Sequence, residues 1–474
     1  MSSPPSQPRR NFLKLLGVFA GGAVVGAVAS YLGISRPAPA PAPTVAGPSA
    51  SLVFAIGGFR PDVVKENVAE FDRQWLIPPD KRTRVEQLSG DLTVATQSRL
   101  AAGYPLDIVY AYPYATVTWS KAGWITPIDD IKATDIVPYN ISDAINEMYP
   151  AVKEAYTVEN RLYGLPYYIS AYGCILTNEE LLDKAGMSGD YPYTWKDMYD
   201  YVEKLAAKKI TEYPLLPSWY NEPFGIPWAF VLEVINQGGN EAMWESKWPY
   251  YPTFDVGTLA EEVLKDWKRA WDNNWVPKGV LTMKQTDYLG EFATGKYFYN
   301  VNAEYYLGYF NDPSRSRIAK KTSIVPVKQQ PWGLLDSCIY ALVKRPRSET
   351  DLEYAQALLE FLGYKDRYGN YYVGKRWMMF EFLKTWPAVF QDPEVRLIWG
   401  IKLYREEDLD AVNGILEKVM FPIAWKAAWY TKWNTIAQTE LPLIFTGEKT
   451  IREVITTLRN EAERLAREEE EAAK

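Results

Sequence analysis

A chain of 474 residues exceeds what one hydrophobic core organises and predicts at least two domains. Its 52 basic and 59 acidic side chains give a formal charge of −7 without a basic patch, which argues against a nucleic-acid partner. Histidine is absent and Cys174 and Cys338 are the only cysteines, so histidine acid–base catalysis, histidine metal sites and thiolate metal clusters are excluded; no cofactor or metal is expected.

Residues 8–14 read PRRNFLK, and residues 15–35 carry no charge. A twin arginine, a Phe-Leu pair and a lysine before a Gly/Ala-rich apolar segment match a twin-arginine export signal, against the alternative of a chance arginine pair before an ordinary hydrophobic helix. Either way the chain leaves the cytoplasm. The apolar segment is long enough to span a bilayer, which takes roughly 20 residues, while Ala27-Val28-Ala29 offers a cleavage site. Cleavage and retention both stay open, and with no cysteine after the segment a lipid anchor is excluded. Residues 37–50, PAPAPAPTVAGPSA, form a stiff extended spacer. Such a spacer tips the balance towards a domain held off a membrane by the uncleaved segment 1–36.

The first strand is expected at 51–57 (SLVFAIG), followed by a turn at Gly58-Phe59-Arg60-Pro61 and a helix with Val64, Val68 and Phe71 on one face. A strand at 84–88 precedes Ser89-Gly90-Asp91, where Asp91 is a suitable helix N-cap. The run 106–111 (LDIVYA) has the length and β-branched content of a buried parallel strand. Strand and helix thus alternate three times, the doubly wound α/β pattern. Ligands of such sheets lie outside the carboxyl ends of the strands. Tyr112, Pro113 and Tyr114 follow that strand directly, so a ring-shaped or hydroxyl-rich ligand is expected there.

The stretch 99–131 (RLAAGYPLDIVYAYPYATVTWSKAGWITPIDDI) resembles the extracytoplasmic solute-binding proteins of ABC importers, the maltose-binding-like family. Leu106 stands where that family has Pro, while Asp107, Gly123, Trp124, Pro127, Asp129 and Asp130 match. Residues 161–187 (RLYGLPYYISAYGCILTNEELLDKAGM) and 194–206 (TWKDMYDYVEKLA) carry a second, longer match. The resemblance covers residues 51 to 467 with weaker matches after Phe292. It implies a two-lobed α/β fold, each lobe a mostly parallel sheet flanked by helices. The lobes are discontinuous, with 51–170 and 328–365 in the first and 171–327 and 366–474 in the second. It also implies that both cysteines follow crossings between lobes and so lie close together, either bridged or as two buried free thiols.

The function implied is capture of a small solute, a sugar or oligosaccharide, between the lobes and delivery to the membrane subunits of an ABC transporter, with the chain expected to be a monomer. Sugars need flat apolar surface against their CH faces and hydrogen-bonding groups against their hydroxyls. Tyr112, Tyr114, Tyr168, Trp219, Trp228, Tyr305 and Trp332 are candidate platforms. Trp219 and Trp228 sit in the Pro- and Gly-containing loop SWYNEPFGIPW, and for each a packing role is as plausible as ligand contact. Arg60, Asp91, Glu304 and Asp336 are polar candidates, each with a surface or hinge ion pair as the plainer alternative. Glu304 and Tyr305 stand where the family turn carries Pro and Trp, which weakens the case for an ordinary maltodextrin. Trp433, in a stripe with Trp425 and Trp429, is a last candidate, although such stripes more often serve the core. Trp267, Trp271 and Trp275, spaced by four, are expected to pack inward. Two other function classes compete with binding. An exported glycoside hydrolase would have to use Glu304 and Asp336 as its carboxylate pair, and an adhesion protein would need repeats or an all-β pattern that are not visible.

Overall fold

The computed structural model describes residues 47–192, 194–326 and 333–474. The signal-like segment 1–36, most of the spacer and Trp332 lie outside them. The apolar run Val53–Ile56 is buried along its whole length and forms strand β1. The helix Pro61–Gln74 follows, started by Pro61 and burying Val64, Val68 and Phe71. β2 (Arg84–Gln87) comes next, then the helix Leu92–Ala101, whose N-cap Asp91 accepts a hydrogen bond from the Val94 amide at 3.0 Å. β3 (Ile108–Ala111) is again wholly buried, as a central strand must be.

A short hairpin, β4 (Thr157–Val158) and β5 (Arg161–Leu162), leads into β6 (Leu165–Tyr172). Gly164 before it leaves no room for a side chain, because a Cβ there would run into the Tyr340 carbonyl and the Ile339 side chain. β7 (Cys174–Asn178) follows β6 after one residue, Gly173. That residue has φ +91°, in the left-handed region, and a Cβ on it would collide with Leu232. β8 (Leu215–Leu216), β9 (Tyr299–Asn302), β10 (Thr322–Ile324) and β11 (Leu334–Leu342) complete the strands.

These strands form two larger sheets, ordered β2-β1-β3-β11-β6 and β10-β7-β9-β8, beside the β4-β5 hairpin. The expected two-lobed α/β architecture is present, but its sheets are mixed rather than mostly parallel. β1 runs parallel to β2 and β3, whereas β11 runs antiparallel to both β3 and β6. In the second sheet only β8 and β9 are parallel. In each sheet one strand runs against the others: β11, between β3 and β6, in the first, and β7, between β10 and β9, in the second.

Asp107, the aspartate shared with the family pattern, is a structural anchor. Its fully buried carboxylate accepts from the Val53 amide at 2.8 Å, from Arg345 Nε at 3.0 Å and from Arg347 Nη1 at 2.6 Å, tying β1 to the chain that leaves β11. The helix Glu349–Gly363 packs on β6 and β11, with the helix Tyr372–Glu381 against it. Near the C-terminus, the helices Tyr430–Glu440 and Ile451–Ala472 pack on each other and on Ile226–Gly238 and Leu259–Asp272. Trp267 and Trp275 are buried as expected, whereas Trp271 is only half-buried and Trp275 lies beyond the end of the helix at Asp272.

The two cysteines are buried free thiols and are not neighbours. Cys338 lies opposite Tyr168 in the β11–β6 pairing, whereas Cys174 starts β7 in the other sheet, past the turn at Gly173 that ends β6. The crossing strands do run side by side as the resemblance implies. Their antiparallel register, however, sets the thiols at different heights. Cys174 Sγ donates to the Ala171 carbonyl at 3.3 Å and Cys338 Sγ to that of Ala111 at 3.4 Å.

Candidate functional site

At the carboxyl end of β3 the chain turns through Tyr112, whose extended backbone caps the helix Pro113–Lys121. The Tyr112 and Tyr114 rings lie 6.4 Å apart and within 5° of parallel, and the Tyr114 hydroxyl donates to Thr93 Oγ1 at 3.1 Å. They form one wall of a cavity of about 420 Å³, of the size that takes a small organic ligand.

Its floor comes from the crossing strands. Tyr168 and Tyr172, four residues apart in β6 and so on one face, line it with Leu335, Asp336 and Ser337 of β11. The Tyr168 hydroxyl donates to Asp336 Oδ1 at 2.9 Å. Burial pushes the Asp336 carboxyl up to about 6; the Tyr168 hydrogen bond opposes this, and the nearby Glu304 charge adds to it. Ser337 is held from behind by Tyr156, whose hydroxyl donates to the Ser337 carbonyl at 2.7 Å.

The opposite wall is assembled from segments far apart in the chain. Trp228 stands on the first turn of the helix Ile226–Gly238 and stacks on Trp425 at 4.4 Å, with the Tyr172 ring edge-on to it at 5.3 Å. Tyr220, Pro223 and Phe224 come from the loop before that helix, and Asn302, Ala303 and Tyr305 from the turn after β9. Tyr430, Thr431 and Asn434 extend from the helix Tyr430–Glu440. Two polar atoms in this lining, Asn302 Nδ2 and Asn434 Oδ1, have no hydrogen-bond partner among the described residues. The cavity therefore offers stackable rings, a carboxylate acceptor, one uncommitted amide donor and one uncommitted amide acceptor.

Of the expected site residues, Tyr112, Tyr114, Tyr168, Trp228, Tyr305 and Asp336 come together in this lining. Arg60, Asp91, Trp219, Glu304 and Trp433 do not. Arg60 pairs with Asp62 and Glu381 at the start of its helix. Asp91 is spent as an N-cap. Trp219 is buried between Trp267 at 4.8 Å and Phe445 at 5.0 Å, because its loop turns inward there. Trp433 is fully buried beside Trp244, with its indole N–H on the Leu458 carbonyl at 2.9 Å. Glu304 is wholly buried and paired with Lys384, so the carboxylate that a hydrolase would need beside Asp336 is already engaged. Trp332 lies outside the described residues.

Trp425, Tyr172, Tyr430 and the two asparagines are lining residues that sequence reasoning misses. Trp425 sits on a separate short turn, Ile423–Lys426, rather than on the helix that carries Trp433; the break falls at the extended residue Ala427, which no local pattern announces. Tyr172 is signalled by its four-residue offset from Tyr168.

The model of the bacterial extracellular solute-binding protein family matches residues 79–362, more than half of the chain. A mannitol-binding protein of Pseudomonas aeruginosa is 23% identical over 267 residues, a match covering 55% of this chain and 54% of that protein. The chain thus matches about half the length of this relative. Among solved structures, a maltose-bound MalE3 of T. maritima superposes with a TM-score of 0.66 at 18% identity, covering 88% of this chain and 100% of that one. An ABC transporter solute-binding protein of Agrobacterium vitis S4 with bound D-mannitol gives a TM-score of 0.63 at 16% identity, covering 89% and 99%. The matched family model, the two-lobed fold that these structures share and the aromatic cavity agree: the chain belongs to the bacterial extracellular solute-binding proteins.

Proposed function

We propose that this protein captures a neutral sugar, polyol or short oligosaccharide between its lobes and delivers it, without turnover, to the membrane subunits of an ABC importer. The observation that carries the reading is the cavity itself. The stacked pair Trp228–Trp425 and the parallel rings of Tyr112 and Tyr114 flank an Asp336 carboxylate that can accept ligand hydroxyls. Aromatic faces against CH surfaces and planar acceptors against hydroxyls are what a saccharide or polyol requires. The relatives named above, with maltose or mannitol in their names, support the same class.

On this reading Tyr112, Tyr114, Tyr168, Trp228, Tyr305 and Asp336 contact the solute, joined by Trp425 and Asn302. Residues 51–170 and 328–365 serve as one lobe, to which the helix Tyr372–Glu381 also packs, and 171–327 with the rest of 366–474 serve as the other. The protein acts as an exported monomer, tethered by the apolar segment 1–36 and held off the membrane by its Pro/Ala spacer. Mass spectrometry of solute retained on gently purified protein tests the ligand class. A carbohydrate or polyol, with a lower radius of gyration on rebinding, is the expected result. A retained peptide or metal, or turnover of an oligosaccharide, would overturn the reading.

A further inference from the structure

Glu304 and Lys384 are both 0% exposed at their side chains, and their charged atoms lie 2.7 Å apart. Everything around this pair converges on the last residues of β6 before the chain crosses at Gly173. Glu304 Oε2 accepts from the Ala171 amide at 2.7 Å and from Ser170 Oγ at 2.9 Å. Lys384 Nζ also donates to the Phe382 carbonyl at 2.7 Å, and the Lys384 carbonyl accepts from the Ile169 amide at 2.7 Å.

The Ile169–Lys384 backbone bond makes a bridge along the edge of β6 that β11 leaves free, so the segment that follows the helix Tyr372–Glu381 fastens that edge. Glu304, from the turn after β9 in the second sheet, meets the same edge two residues on, at the Ala171 amide. The next residue, Tyr305, and the preceding Asn302 and Ala303 line the cavity.

A buried ion pair is a poor means of gaining stability, since apolar residues of similar volume often do as well, but its directional bonds fix geometry. We propose that Glu304 and Lys384 are a positioning pair for the solute site: by joining the turn after β9 to the segment after the helix Tyr372–Glu381 along one edge of β6, they hold Tyr305 and Asn302 in the cavity wall and set the angle from which the lobes close. Burial pulls the Lys384 ammonium below its usual range while the Glu304 carboxylate opposes this, as expected for a cation kept in place by its partner. The inference rests on the cavity being the solute site.

The test compares wild type with the double variant Glu304→Gln/Lys384→Met, which removes both charges at nearly constant volume. Melting temperature, solution scattering of the ligand-free protein and calorimetric titration with maltose and D-mannitol are measured on the full chain. The variant is expected to melt close to wild type, to show a changed ligand-free scattering profile, and to bind the sugar that wild type binds about tenfold more weakly, the scale of coupling within one hydrogen-bonded network. A folded variant with the wild-type profile and affinity would overturn the proposal. Ser170→Ala, which deletes a single uncharged bond to Glu304, decides the matter should the double variant not fold. It is expected to shift the profile in the same sense and weaken binding by roughly 2- to 10-fold, and no change in either would overturn the pair's role. If wild type binds neither of these two compounds, the ligand-free scattering still decides the role of the pair.

Discussion

Trp425 and Trp433 stand eight residues apart in one tryptophan-rich segment, yet they belong to different parts of the molecule. Trp433 is enclosed by Trp244, Phe254 and Tyr430, with its indole N–H satisfied by a main-chain carbonyl. Trp425 lies on a short turn, stacks on Trp228 and faces the cavity. Aromatic composition and spacing therefore do not separate platform from core. For this pair the difference is position: Trp433 sits within a helix packed on its neighbours, whereas Trp425 sits on a short irregular turn that opens on the cavity.

Substitutions put this contrast at risk. Trp433→Ala should lower unfolding stability by about 3–5 kcal/mol, the usual result of emptying a core site of that size. Solute affinity of the folded fraction should stay unchanged, read by denaturant unfolding beside calorimetry. Trp228→Ala should do the reverse, weakening solute binding by about 1–3 kcal/mol with a small change in melting temperature. If the two variants exchanged these signatures, core and platform would have been assigned the wrong way round.

Two buried carboxyls extend the contrast to pH. Glu360, enclosed in the helix Glu349–Gly363, is raised by burial from 4.5 to about 9. Because the folded state then holds a proton that the unfolded chain has released, the contribution of Glu360 to stability is fully present below pH 4.5 and declines up to about 9. The slope is at most about 1.4 kcal/mol per pH unit for this group. Glu360→Gln should flatten that decline in a series of denaturant titrations. Asp336, raised to about 6, should instead be visible in binding: as an acceptor of solute hydroxyls it should lose affinity as the pH falls through 6. Asp336→Asn should bind with no such pH dependence, and an unaltered pH profile in that variant would remove Asp336 from the site.

The smallest effect is expected at Arg60, whose ion pairs with Asp62 and Glu381 are partly exposed. Arg60→Ala should cost less than about 1 kcal/mol of stability and leave solute affinity as it was. A tenfold loss of affinity would place Arg60 in the closed site after all.

Much of the fold is legible in the sequence because local patterns govern it. The alternation of β1, β2 and β3 with helices, the N-cap at Asp91 and the tyrosines placed after β3 all follow from short-range rules. The antiparallel course of β11 and the separation of the two thiols are not legible, since they depend on pairing between segments far apart in the chain. The same division runs through the cavity. Its Tyr112–Tyr114 wall comes from one continuous stretch and is expected from it. Its Trp228–Trp425 wall joins residues from distant parts of the chain, and sequence reasoning finds only Trp228. Glu304 shows the opposite failure: its neighbours line the cavity, but its own side chain turns away to meet Lys384, a partner that no local pattern announces.

If a neutral saccharide or polyol binds against the Trp228–Trp425 pair, removing one ring of that pair must be felt in affinity. The decisive measurement is calorimetric titration of the wild-type chain and of Trp228→Ala with maltose, D-mannitol and a panel of short oligosaccharides. Saturable binding of at least one member by wild type, without product formation and markedly weaker in the variant, is the outcome expected. Absence of binding across the panel, or equal affinity in the two proteins, would contradict it.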